Sequence, residues 1–225
     1  MKPSVYVETT VISYLVGWLN RNDLQVAAHQ EITRRWWAAR REQFELFASA
    51  VVVDEAADGD QSLAAERLRF LQHVQMLQVP DEAYRLRDEL LRRTPIPAKA
   101  ETDALHIAVA TIHAMNFLAT WNCKHIANAV TLPLVYNVAA KWVMSHRWYA
   151  HRMSSWENLM SKIFDDPIVE EVHQTRAKLL KKYGGSKGYA EHIRELESQL
   201  ADRLTQRNPR RPSRHIAKCR NCGGA

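Results

Sequence analysis

The apolar and polar positions of this chain follow two periods, one suited to short buried strands and one to amphipathic helices. The opening segment SVYVET is β-branched and aromatic, and predicts a short buried strand ending near Glu8. A helical stretch follows from about Thr10 to Leu19. The polar break Asn20 to Asp23 then opens a longer helix to about Arg41, with Asp23 as its N-cap. FELFAS reads as a second strand, and Ser49 is placed to cap the helix carrying Val51, Val52, Val53 and Glu55, which Gly59-Asp60 ends. Helices over about Ser62 to Val74 and Asp81 to Arg93 flank MLQV, a third strand. Thr94 to Pro97 is a loop by its two prolines. Glu101 to Met115 is again helical, and NFLAT is a fourth strand ending just before Trp121-Asn122. Strands separated by helical patterns predict an α/β fold with a parallel sheet covered on both sides.

Beyond about Ile126 the pattern changes. Residues 130–165 form a Trp- and His-rich connector with no clear period and no assigned element. Asp165-Asp166-Pro167 reads as a helix start, with acids at the positive end of the dipole and Pro167 in the first turn. That helix runs to about Tyr183, where Gly184-Gly185 stops it. A second helix, about Gly188 to Thr205, carries Ile193, Leu196, Leu200 and Leu204 at helical spacing. Residues 166–205 thus predict a helical hairpin or dimerising arm, and a second copy of the chain is an expected partner. The tail 206–225 is basic, with two prolines, and predicts disorder.

Composition narrows the class rather than the function. Apolar residues make up 46% and charged residues 25%, as in ordinary globular proteins, and no apolar run is long enough to span a bilayer. The N-terminus lacks a secretory pattern, and three cysteines do not make a disulfide framework. A cytoplasmic protein without a membrane partner is therefore expected. The net charge of +6 suits a polyanionic partner such as RNA, without requiring one.

Three acids stand where strands give way to helices. Glu8 closes the first strand, Glu55 lies on the helix after the second, and Asp103 opens the helix before the fourth. Ligands of an open parallel sheet bind at the carboxyl ends of its strands, so these side chains can converge there. Carboxylates brought close together either share protons or hold a hard cation. Mg²⁺ or Mn²⁺ held this way also binds phosphate oxygens, as phosphodiester hydrolysis requires. Each acid taken singly is equally a solvated residue or a first-turn helix acid, and spacing does not distinguish the two.

The motifs VYVETTVISYL, SAVVVDEAADGD, TDALHIAVA and LATWNCKHIANA occur in that order over about residues 3–129. Together they closely resemble the PIN domain family, which includes the VapC-type toxins of bacterial toxin–antitoxin pairs. The resemblance implies a three-layer α/β/α PIN-like domain over residues 1–129, followed by an α-helical C-terminal extension. It implies an Mg²⁺- or Mn²⁺-dependent endoribonuclease, toxin-like, with catalytic residues Glu8, Glu55, Asp103 and Asn122. Of these, Glu8, Glu55 and Asp103 match the family's metal-holding acids, and Thr10 matches the residue that steadies the first of them. Asn122 stands where the family has a fourth acid, and the family's further strand after this point has no clean equivalent. Residues 166–205 look like the helical antitoxins paired with such toxins, so a cognate antitoxin or this intramolecular arm is an expected partner. The arm would then dock on a PIN domain, its own or a partner's, and restrain the site. The alternative is a weakened PIN fold acting as a non-enzymatic partner- or nucleic-acid-binding regulator.

Four side chains are candidate RNA contacts: Lys124 and His125 beside Asn122, which equally read as solvated loop residues, and Arg34 and Arg35 next to Trp36 and Trp37. On a helix the two tryptophans point apart, which favours packing over base stacking for at least one. Cys219 and Cys222 with His215 offer three ligands in a segment without a core, which argues against structural zinc.

Overall fold

The computed structural model describes residues 2–18, 23–145 and 167–205, with side chains described throughout except at 143–145 and 167–170. Among these residues the chain forms a four-stranded, wholly parallel sheet surrounded by helices. The strands are β1 (Ser4–Val7), β2 (Glu45–Ser49), β3 (Gln75–Leu77) and β4 (Phe117–Ala119), in the order β3-β2-β1-β4. Register pairs Tyr6 with Phe47 on one side and with Leu118 on the other. All four residues of β1 are buried, which is why Val5, Tyr6 and Val7 follow one another without alternation, while the polar Ser4 is satisfied by Asn116. The chain steps outward from β1 to β2 to β3, then returns to place β4 on β1's other flank. In open parallel sheets such a reversal, at the carboxyl ends of the strands, is where ligands bind.

The connecting helices are α1 (Thr9–Val16), α2 (Leu24–Ala39), α3 (Ala50–Ala57), α4 (Gln61–Leu71), α5 (Asp81–Arg93) and α6 (Glu101–Ile112). Asp23 caps α2 as expected, its carboxylate accepting from the Gln25 and Val26 amides at 2.9 and 3.1 Å. Ser49 stands at the N-cap of α3 but does not cap it: its hydroxyl bonds Tyr6 Oη at 2.8 Å, inside the core. The helix expected to reach Met115 ends at Ile112. Ala114 turns to φ +50°, and Met115 N donates to Ala110 O and Ala114 N to Thr111 O, a Schellman closure built without glycine.

Part of the segment left without an element in the sequence reading is a helix, α7 (Leu132–Ser145), packed against α5 and α6. Its Val135 and Val138 are buried in the main core. The hairpin follows as α8 (Pro167–Lys182) and α9 (Ser186–Gln199). The acids expected at its start, Asp165 and Asp166, lie outside the described residues, as does the basic tail. The second helix begins two residues earlier than expected and ends at Gln199, with a 3₁₀ turn at Ala201–Arg203 before Leu204. Leu204 pairs in parallel with Met76 of β3, and Thr205 N donates to Met76 O at 2.8 Å, so the arm ends on the sheet's open edge.

The arm shares the core. Leu179, Tyr189, Ala190 and Ile193 are buried in the same apolar cluster as β1 and β2. Polar contacts frame the packing: His192 meets Asp54 at 2.9 Å, and Val79 N donates to Glu197 Oε1 at 2.5 Å. Among the described residues no helix is long and apolar enough to cross a membrane.

Candidate metal centre

Glu8 is the residue at which β1 becomes α1. Its amide donates to Ala119 O of β4 at 3.1 Å, and its carboxylate caps α1 by accepting from Thr10 N at 3.1 Å. The Thr10 hydroxyl also donates to the Glu8 carboxylate and in turn accepts from Trp121 N at 2.8 Å. Thr120 Oγ1 adds a further bond to Glu8 Oε2 at 2.8 Å. The strand ends β1 and β4 are thereby tied together through one carboxylate.

Glu55 enters from α3, where it takes a hydrogen bond from the Thr9 hydroxyl and lies 3.2 Å from His106 Nε2 through both its oxygens. His106 is held from behind by Tyr6 Oη at 2.9 Å. Burial pushes the Tyr6 hydroxyl well above its ordinary range, so it stays protonated as a donor. Asp103 enters from the first turn of α6, one helical turn before His106 on the same face. The three acids are fully buried and meet at the carboxyl edge of the sheet, as their spacing allowed.

The cation among them is a side chain. Arg176 of α8, 3% exposed, donates from Nη2 to Glu8, from Nη1 to Asp103, and from Nε to Glu55 Oε1 at 2.6 Å. A fourth bond joins Nη2 to Glu55 Oε2 at 3.2 Å. A guanidinium carries five N–H donors, and here at least four bonds reach three carboxyl groups. Burial raises the Glu55 carboxyl, but Arg176 and His106 overcome it and hold Glu55 at about 2. Asp103 is pushed upward by burial against the single bond it receives from Arg176, with Glu8 adding to the rise. Glu55 and Asp103 are thus shifted in opposite directions, and the guanidinium meets Glu55 with two atoms and Asp103 with one.

Asn122 is buried beside Asp103 and ties down the rim. Its Nδ2 donates to Asp103 Oδ1 at 3.1 Å and to His173 Nε2 of α8 at 2.9 Å, while its Oδ1 accepts from His125 N at 3.1 Å. His125 and His173 face each other with ring centroids 5.2 Å apart. Burial lowers the His125 imidazole, with Asp103 pulling the other way. Two groups of ligand-bearing side chains result: Glu8, Glu55 and His106 in one, Asp103, His125 and His173 in the other. Either has the donor types to hold a metal ion, the first rich in oxygen and the second in nitrogen.

The structure therefore brings together Glu8, Thr10, Glu55, Asp103 and Asn122, with His125 at the rim and Lys124 exposed beside it. Arg34 and Arg35 do not join them. Arg34 donates to the Leu15 and Gly17 carbonyls at 3.3 and 2.6 Å, and Arg35 pairs with Glu31 on the surface of α2. The acids flanking Glu55 go elsewhere: Asp54 to His192, and Asp60 to the N-cap of α4. Trp37 is buried and Trp36 half-buried against the core, as packing rather than stacking requires. The sequence reading missed Arg176, His106, Thr9, Thr120 and His173. His106 was reachable, lying three residues after Asp103 on one helix face. Arg176 carried a fainter signal, since Val172, Thr175, Arg176 and Leu179 form one buried helical stripe with a charge inside it.

Comparison with family models, with curated proteins and with solved structures returned no match.

Proposed function

We propose that the chain is an Mg²⁺- or Mn²⁺-dependent endoribonuclease of the PIN type, toxin-like, whose site is held shut by its own antitoxin-like arm. The observation that carries this reading is the convergence of Glu8, Glu55 and Asp103, from three elements, on one buried point at the sheet's carboxyl edge. Burying three carboxyl groups together is costly without a cation, and a fold tolerates it where the cluster serves a bound positive charge. Arg176 supplies that charge in the closed form. With α8 withdrawn, Glu8, Glu55 and Asp103 would hold the divalent ion. Such an ion, when bound, activates water and offsets the charge developing on a phosphodiester.

The chain's own residues do the positioning. Thr10 and Thr120 fix the Glu8 carboxylate, while Thr9 and His106 fix that of Glu55. Asn122 would orient the scissile phosphate or the water through its amide, and Lys124 lies exposed for a neighbouring phosphate. The positive net charge of +6 favours RNA as the polyanion. One feature supports the non-enzymatic regulator as a second reading: Asn122 adds no fourth charge, and its amide is already committed to Asp103 and His173.

The test is RNA cleavage in Mn²⁺ by wild type, by Arg176→Ala and by Arg176→Ala/Asp103→Asn, each with a chelator control. Arg176→Ala should cleave at least tenfold faster than wild type, and the double variant not at all. Arg176→Ala leaves buried carboxylates unpaired, so its melting temperature should fall in chelator and recover in Mn²⁺. A folded, Mn²⁺-stabilised Arg176→Ala chain that cleaves no RNA would sink the enzyme and leave the regulator.

A further inference from the structure

Asp103 presents two oxygens to two different environments. Oδ1 accepts from Arg176 and Asn122, whereas Oδ2 is buried and accepts no hydrogen bond among the described residues. Leaving a buried carboxylate oxygen without a donor costs free energy, so its surroundings show what the position suits. Oδ2 lies 3.6 Å from His173 Nε2, and one ligand atom from each of Asp103, His125 and His173 falls within 4.8 Å of the others. In a tetrahedral site with metal–ligand bonds of about 2.1 Å, neighbouring ligand atoms stand about 3.4 Å apart. The Asp103–His173 pair is already near that spacing at 3.6 Å, and His125 needs to close by at most about 1.4 Å.

We propose that Asp103, His125 and His173 form a transition-metal site, of the kind that takes Zn²⁺ or Co²⁺, and that the bound ion latches the arm onto the core. The three ligands come from three places: α6, the turn after β4, and α8 of the arm. A metal coordinated by all three bridges the core to the helix that carries Arg176, one turn from His173. Two imidazoles and one carboxylate select a borderline ion over Mg²⁺, which prefers an all-oxygen shell and keeps its waters. Asn122 Nδ2 now donates to His173 Nε2 at 2.9 Å, and the metal would take the place of that bond while Asn122 Oδ1 keeps the His125 turn in position. Zinc then closes the same cluster from which the arm must leave for any other ion to enter.

The latch rests on this geometry and not on ribonuclease activity, so its test contains no RNA. Tag-free, metal-stripped full chain carrying Cys219→Ser and Cys222→Ser, which removes the tail thiols, is titrated with Co²⁺. The expected result is a tetrahedral d–d absorption band saturating at one ion per chain. Affinity should fall at least about tenfold, the loss typical of even a supporting residue, in His125→Gln and in His173→Gln. His192→Gln, on the same arm but bonded to Asp54, should bind as before. Zn²⁺ should also slow amide hydrogen exchange along α8, and Mg²⁺ at the same concentration should not. A full chain that leaves Co²⁺ with its aquo-ion spectrum overturns the site without reliance on any variant. Equal affinity in all three histidine variants overturns the ligand assignment, and zinc binding that leaves α8 exchange unchanged overturns the latch.

Discussion

Each carboxylate of the cluster is held by a different device, and the devices make different predictions. Glu8 is fixed by two threonine hydroxyls and a backbone amide. Replacing Thr10 by Val keeps the shape but leaves Glu8 and Trp121 N each short of a partner. That change should cost about 1–3 kcal/mol in unfolding free energy, measured by denaturant titration. Asn122 works in the opposite sense, lending Asp103 an uncharged donor. Asn122→Asp would turn that donor into a second carboxylate beside Asp103. The metal-free chain should melt lower, and calorimetric titration should show tighter Mn²⁺ binding than wild type, since added ligand charge raises affinity for hard ions. Unchanged Mn²⁺ affinity would mean that Asn122 does not line the ion's position.

At the scale of elements, α6 and α8 do most to build the site. α6 offers Asp103 and His106 from one face, and closes at Ala114 with a positive φ of 50°. Only glycine adopts that conformation without steric cost, so Ala114→Gly should stabilise the chain by up to about 1 kcal/mol, read as a higher melting temperature. α8 contributes an apolar stripe with Arg176 inside it, and α9 pins the arm through Glu197 and His192. Glu197→Ala leaves Val79 N, between β3 and α5, without its acceptor, yet touches no residue of the carboxylate cluster. Limited proteolysis between α8 and α9 should speed up in this variant while the sheet remains folded. Protease resistance equal to wild type would show that the contact is dispensable for docking.

At the scale of the molecule, the buried cluster couples folding to pH with two opposite signs. Glu55 has its folded pKa lowered from 4.5 to about 2, so its contribution is complete above 4.5 and is lost as pH falls toward 2. Asp103 is raised above its unfolded value of 3.8, so its contribution is present below 3.8 and is lost as pH rises through the higher folded value. In chelator at pH 7, Glu55→Gln should therefore lower stability more than Asp103→Asn does. The gap should narrow as the pH is brought down to about 3, and a gap independent of pH would refute the opposite shifts of the two groups. Both measurements need the intact arm, because Arg176 joins the two groups.

Much of this architecture was already determined by local pattern. The short apolar stretches Val5–Val7 and Leu46–Ala48 in β1 and β2, the Asp23 cap and the glycine pair at 184–185 are short-range signals, and they point to a parallel α/β sheet followed by a helical hairpin. Glu8 and Asp103 were legible because each sits at a strand or helix end where side chains have few places to point. What the sequence could not determine depends on contacts between distant residues. The Ser49 hydroxyl fits a cap locally, but a buried Tyr6 Oη needs a partner more than a helix end does. Arg176 lies 121 residues from Glu55 and 168 from Glu8, and no local period distinguishes a buried guanidinium from one on a solvated face. Only the packing of α8 across α1 and α3 removes water from that side chain, leaving three carboxyl groups as its partners.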